Sequence, residues 1–218
     1  GLKGIPALAE ELMIARNIYL AEYAGAPLHL MGVSTEKGVQ LIREAKAKGL
    51  NITASVHAYN LYWNDSVLED FDTNYKLNPP LRGEEDRKAL LDAVADGTIN
   101  CITSGHSPED IENKVVEFDL AAFGMVGLES AFSLACSSDK FSAEQLVNAF
   151  CIQPRTIAGI EIPMLKVGEK ANVTVFDISA QRTFTAKNIF SKSKNTPLVG
   201  KELNGVVIGI YNKGQWVN

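Results

Sequence analysis

Chemistry-bearing residues are scarce in this chain. Only three cysteines, Cys101, Cys136 and Cys151, occur in 218 residues. They are widely spaced, odd in number and set in apolar context, which argues against a disulfide framework or a zinc knuckle and for a reducing compartment. Histidine is equally sparse: His29, His57 and His106 are the whole complement. No apolar run approaches the ~20 residues that span a bilayer, and the opening residues do not read as a secretory signal. A cytoplasmic protein without membrane association is therefore expected. Basic residues are in deficit, 21 Lys and Arg against 26 Asp and Glu, for a formal charge of −5. Without a basic run, nucleic acid is not an expected partner. Low-complexity linkers and short repeats are also missing.

What is present alternates between strand and helix. Pro6 suits the first turn of a helix carrying Leu8, Leu12, Ala15 and Tyr19 on one face, stopped by Gly25 and Pro27. The apolar run at 28–33 reads as a buried strand. Ser34 or Thr35 then caps a helix bearing Val39, Ile42 and Ala45, which ends at Lys48-Gly49. Residues 50–56 read as the next strand. After a long loop, Glu84-Glu85-Asp86 place negative charge at the start of a helix with Leu90, Leu91 and Val94 on its apolar side and Gly97 at its end. Residues 99–104 form a third strand. This order implies right-handed crossovers and parallel strands.

Two more helices are expected at about 117–135 and 142–152. From residue 163 onward the pattern turns to β-branched segments, at 172–176 and 205–211, followed by an Asn212-Lys213-Gly214 turn signal. Three parallel strands alone leave two bare edges and a poorly covered face. With Gly1-Leu2-Lys3-Gly4 reading as a loop that enters a helix, the chain is expected to be the C-terminal portion of something larger.

Seven stretches carry a family resemblance. They are GLKGIPALAEE at 1–11, GVSTEKGVQLIREAKAKGLNITASV at 32–56, KLNPPLRGEEDRKALL at 76–91, DGTINCITSGHSPED at 96–110, FGMVGLESAF at 123–132, VGEKANVTVFD at 167–177 and NTPLVGKELNG at 195–205. Together, and in this order, they resemble the C-terminal half of a dihydroorotase of the long (type I) kind, in the cyclic amidohydrolase family. The resemblance implies a metal-dependent-hydrolase (β/α)8 TIM barrel with a small β-sandwich. Residues 1–162 would be the C-terminal portion of the barrel, with its last three strands, and residues 163–218 the β-sandwich appendage. It further implies an active site at the C-terminal strand ends. There, one or two Zn²⁺ ions activate water for reversible closure of carbamoyl-aspartate to dihydroorotate.

Two of the family's metal positions should fall in this chain, and neither keeps its ligand. The sixth-strand His-Val-Ser reads Gly32-Val33-Ser34, and the eighth-strand Thr-Asp-His-Ala-Pro-His reads Ser104-Gly105-His106-Ser107-Pro108-Glu109. The Pro-His-His segment after the seventh strand reads Ala58-Tyr59-Asn60, and a preceding Glu found in some relatives is Ser55. Glycine has no donor atom, and loss of the eighth-strand carboxylate removes the obvious general base. No catalytic or metal residue is therefore assigned, and no cofactor is expected from this chain although the family uses zinc.

Asn78 and Arg82, in Asn-Pro-Pro-Leu-Arg, match substrate-side positions of the family, and His106 stands behind the lost Asp; these three are the candidate substrate-binding residues. Asn78 also reads as a turn cap beside Pro79-Pro80. His29, three residues before Gly32, is expected on the opposite face of its strand as a structural histidine. His57 reads as a solvated or hydrogen-bonded loop residue near the mouth, and Cys101 as a small core residue.

The pattern points to a pseudoenzyme of pyrimidine biosynthesis. Inactive relatives suggest aspartate carbamoyltransferase as a partner for which it is a scaffold, and family barrels usually form homo-oligomers. The alternatives are an active zinc-dependent dihydroorotase or related cyclic amidase using upstream or substituted ligands, and a small-molecule sensor built on the Asn78 loop.

Overall fold

The structure, a computed structural model, describes residues 4–218; Gly1, Leu2 and Lys3 of the expected entry loop lie outside the described residues. Helix α1 (Ala7–Ala24) follows Pro6, which sits at the N-cap, and stops at Gly25 in the left-handed region, with φ 61°. Its buried side is not the expected one. Ile14 is buried and Ile18 and Ala21 are partly buried against the core, whereas Leu8, Leu12 and Tyr19 are exposed. The reason lies on the next helix, α2 (Glu36–Ala47). Gly38 leaves a notch there, and a Cβ in it would meet the Ile14 Cδ1 at 2.8 Å.

Between these helices runs β1 (Leu28–Leu30), which pairs in parallel with β2 (Ile52–His57). Strand β2 pairs in parallel with β3 (Cys101–Thr103), giving the order β1-β2-β3. Thr35 caps α2 as expected by accepting from the Gly38 N–H. Val39, Ile42 and Ala45 are buried under it. Glu10 of α1 binds the same helix start: its Oε1 accepts from the backbone N–H of Ser34 at 2.7 Å and of Thr35 at 3.2 Å, and Ser34 Oγ donates to Oε2.

Strand β2 runs directly into a short helix, α3 (Ala58–Tyr62), where a loop was expected; four of its five residues are buried. Helix α4 (Glu84–Ala95) carries Glu84, Glu85 and Asp86 in its first turn and buries Leu90, Leu91 and Val94.

The helix expected at 117–135 exists only as α6 (Ala131–Cys136), after the single-turn α5 (Ile111–Lys114). Residues 124–127 instead run beside the end of β3, with a His106–Met125 bridge and a 2.8 Å bond from Ser107 N to Met125 O. Gly127 permits this approach, because a Cβ there would overlap the Ser104 carbonyl. Helix α7 (Ala143–Val147) opens with a Ser142–Gln145 capping box. It continues through a π turn (Asn148–Ile152) into α8 (Gln153–Ala158), six residues beyond the expected end.

The second sheet is antiparallel, β4 (Val173–Thr183), β5 (Glu202–Asn212) and β6 (Gln215–Val217), in that order. Lys213 and Gly214, with φ of 50° and 81°, make the expected hairpin turn. The two sheets share one buried cluster, to which Phe184, Ile189, Leu198 and Leu203 contribute from the C-terminal region. Ser133 Oγ on α6 donates to Gly205 O at 2.6 Å.

Cys101 and Cys136 are buried and Cys151 is exposed. Burial pushes the first two thiols up, to about 11 and about 12. No helix among the described residues is long and apolar enough to cross a membrane.

Candidate functional site

The two faces of the parallel sheet differ in chemistry. Leu30, Ile52, Ala54, Val56 and Ile102 belong to the core shared with the helices. Strand alternation turns Thr53, Ser55 and His57 of β2 to the other face. His29 joins them. Its Nδ1 lies 2.8 Å from Thr53 Oγ1 and its Nε2 3.3 Å from Ser55 Oγ. His57 repeats the arrangement one strand over, with Nδ1 2.7 Å from Thr103 Oγ1. Both pairs sit at register positions, His29 opposite Thr53 and His57 opposite Thr103.

Thr103 Oγ1 also lies 3.2 Å from Val56 O; when its proton goes there, it accepts from His57 Nδ1–H and Nε2 keeps the free lone pair. That nitrogen faces Gly32: a Cβ there would lie 3.1 Å from His57 Nε2 and 3.4 Å from Pro79 Cδ. His29 therefore shares a face with the surroundings of Gly32, contrary to the expectation from alternation. Strand β1 ends at Leu30, and Gly32, at φ 68°, lies beyond it in a turn that breaks the two-residue period. Burial lowers the His57 pKa to about 4, so the ring is neutral at pH 7.

Gly105, the other departure from the family pattern, lies beside Tyr59. This ring is buried in α3, stands 5.2 Å from the His57 ring by centroids, and donates its hydroxyl to Asn78 O at 3.0 Å. A Cβ on Gly105 would overlap Tyr59 Cε1 and lie 3.0 Å from His57 Cγ. Gly105 is also at φ 58°, a conformation that L side chains rarely adopt. Neither glycine position offers a donor to a cation. Among the described residues, no three His, Cys, Asp or Glu side chains converge as a metal-holding group. The residues of this half do not fit a zinc ion by themselves.

The three candidate substrate-side residues are placed differently. Asn78 is exposed next to the cis Asn78–Pro79 bond, with its carbonyl taken by Tyr59 and its side chain turned to solvent. Arg82 is mostly enclosed: it donates to Ser34 Oγ at 3.2 Å and Ile5 O at 2.6 Å, and lies 3.7 Å from Glu10 Oε2. His106 uses Nδ1 to accept from the backbone N–H of Gly127 and Leu128, at 3.2 and 3.3 Å, so its proton is on Nε2. The structure thus brings His57, Gly32 and Gly105 together and ties Arg82 to α1.

Sequence reasoning did not single out several residues that organise this mouth. Tyr59 was visible only as a substituted position. Thr103 and Glu10 gave no signal, because a lone hydroxyl or surface carboxylate has no pattern. Asn195 is a further case: its Oδ1 accepts from Glu109 N at 3.1 Å while its Nδ2 donates to Ser107 O and Gly124 O at 3.2 and 3.1 Å.

No protein-family model matches the chain. It is 44% identical over 211 residues to a dihydroorotase from Thermoanaerobacter sp. (strain X514), a match covering 95% of this chain and 49% of that relative. A dihydroorotase from Listeria innocua is 38% identical over all of this chain and 52% of its own length. The chain spans about half the length of the curated relatives it matches. Among solved structures, the L-hydantoinase (dihydropyrimidinase) from Arthrobacter aurescens superposes with a TM-score of 0.89 at 25% identity, covering 97% of this chain and 49% of that one. An inactive dihydroorotase-like domain of the Chaetomium thermophilum CAD-like multifunctional protein shares the fold, with a TM-score of 0.69 at 19% identity over 93% of this chain and 54% of that one. The α/β sheet of parallel strands is therefore part of an amidohydrolase TIM barrel, and the chain is a homologue of the C-terminal half of dihydroorotases, with glycine at both of the metal positions expected in it.

Proposed function

We propose that this chain is half of a dihydroorotase-like protein of pyrimidine biosynthesis whose metal-hydrolase centre is lost or severely impaired, and which acts as a scaffold for aspartate carbamoyltransferase. One observation carries the reading: Gly32 and Gly105 stand at the strand ends where a ligand imidazole and a carboxylate are expected, and the space at each is already lined by His57 or Tyr59. A carboxylate is needed there to hold the cation and move the proton of the attacking water. Tyr59 cannot replace it, because burial pushes its phenol above the usual range and keeps it protonated. The Chaetomium domain, described as inactive, offers a precedent for this fold without turnover.

In this reading Asn78, Arg82 and His106 keep the shape of the substrate side without chemistry. The exposed Asn78 side chain is free of partners among the described residues, and a sensor for carbamoyl-aspartate or dihydroorotate would use it. Zinc analysis and dihydroorotate turnover of the full-length protein test the loss of activity, with little metal and no turnover expected. Co-purification with aspartate carbamoyltransferase from the same cells tests the scaffold role. No complex and no effect on the transferase would remove it.

A second reading has one observation in its favour. The neutral Nε2 lone pair of His57 faces Gly32 and is chemically competent as a substitute ligand for a zinc held mainly by upstream residues. About one zinc per chain together with turnover would establish this cyclic amidase instead.

A further inference from the structure

We infer that the two ligand losses are entrenched by refilling: the Tyr59 ring occupies the volume that a side chain at residue 105 needs, and His57 borders both glycine positions, so that restoring the missing ligands alone cannot rebuild a metal site. The inference rests on the reading of Gly32 and Gly105 as lost metal positions and deepens it.

The geometry is specific. Tyr59 is 2% exposed, and its ring is fixed at both ends, by the 3.0 Å bond from its hydroxyl to Asn78 O and by α3 at its root. The ring cannot swing outward without breaking that bond and opening a cavity in a close-packed region. A Cβ at residue 105 would overlap Tyr59 Cε1 and stand 3.1 Å from Cδ1, so even alanine is excluded while the ring stays. At residue 32 the first obstacle is His57 Nε2, whose ring is held by Thr103. The two side chains that form these obstacles also pack against one another, at 5.2 Å between ring centroids. Residue 59 itself departs from the family pattern, reading Tyr in the Ala58-Tyr59-Asn60 segment. The bare position at residue 105 and the ring at residue 59 are thus one packing site, where α3 meets the loop that follows β3.

A double-mutant cycle on the full-length protein tests this. Gly105→Ala, Tyr59→Ala and the double variant are compared with wild type by equilibrium chemical unfolding. Strain at φ 58° is common to both backgrounds and cancels in the comparison. Gly105→Ala should raise the unfolding equilibrium constant by a factor about ten times larger in the Tyr59 background than in the Tyr59→Ala background. A ratio at or below about threefold overturns the inference, since the cost would then be backbone strain alone. If Tyr59→Ala does not fold, Tyr59→Leu serves in the same cycle. As a second readout, zinc retained after dialysis should be higher for Gly32→His/Gly105→Asp combined with Tyr59→Ala, which removes the ring without adding a donor, than for the first two changes alone. Equal retention also counts against the inference. Zinc and turnover in the wild type would defeat the inactive reading whatever the cycle gives, so the two failures are distinguishable.

Discussion

The two faces of the parallel sheet make different demands on the sequence. On the helix side, Leu30, Ile52, Ala54, Val56 and Ile102 close against α2 and α4 as any barrel wall does. On the opposite side, His29, Thr53, Ser55, His57 and Thr103 form hydrogen-bonded pairs that lead to two glycines and a buried tyrosine. The first face needs only apolar volume, and the second needs particular atoms in particular places. A chain can therefore keep the wall and replace the chemistry, because the two sets of residues share strands but not neighbours.

The wall should show the largest response. Ile42 is fully buried under α2, and Ile42→Ala should cost roughly 2–5 kcal/mol of unfolding free energy in urea titration. A much smaller cost would mean that the helix side is loosely packed and that the contrast between faces is false.

Next in size is the pH response of the inner face. His57 is neutral when folded, with a pKa near 4, against an ordinary value of 6.5. Its folded value is depressed, so its contribution is fully present above pH 6.5 and is lost as pH falls toward 4, because the unfolded chain takes up a proton first. The loss amounts to about 3 kcal/mol at most, from ~1.36 kcal/mol per pKa unit. Melting curves between pH 7 and 4.5 should fall more steeply for wild type than for His57→Gln; parallel slopes would assign the acid sensitivity elsewhere.

Glu10 sharpens the comparison from the periphery, since it serves the scaffold although it is charged. Glu10→Ala leaves the Ser34 and Thr35 backbone donors without their acceptor and Arg82 without its ion partner and should cost about 2 kcal/mol by denaturant titration. Asn78→Ala should change stability least, by under ~0.5 kcal/mol, while abolishing any calorimetric signal with carbamoyl-aspartate or dihydroorotate. Retained binding would exclude the Asn78 side chain as the contact.

Much of the wall was legible in the sequence because it obeys periodicity. Val39, Ile42 and Ala45 recur at helical spacing, Thr35 precedes them as a cap, and the strands alternate with helices in the order that makes a parallel sheet. The mouth was legible only through the resemblance, and then as missing donors, not as the residues that fill their place. Helix α3 has five residues, too few to show a period. The 117–135 segment has helix-forming composition, but residues 124–127 run beside the end of β3, where Gly127 leaves room for the Ser104 carbonyl, and helix forms only from Ala131. Along α1 two apolar stripes compete, and the notch at Gly38, distant in sequence, decides for Ile14 over Leu8 and Leu12.

The burial pattern of the three thiols has a practical consequence. Cys101 and Cys136 are enclosed and held protonated, whereas Cys151 opens to solvent in the π turn that joins α7 to α8. A maleimide dye at neutral pH will therefore attach to this chain at a single address. Such a fluorophore gives a reporter for subunit association that needs no engineered cysteine and leaves every residue of the refilled mouth untouched.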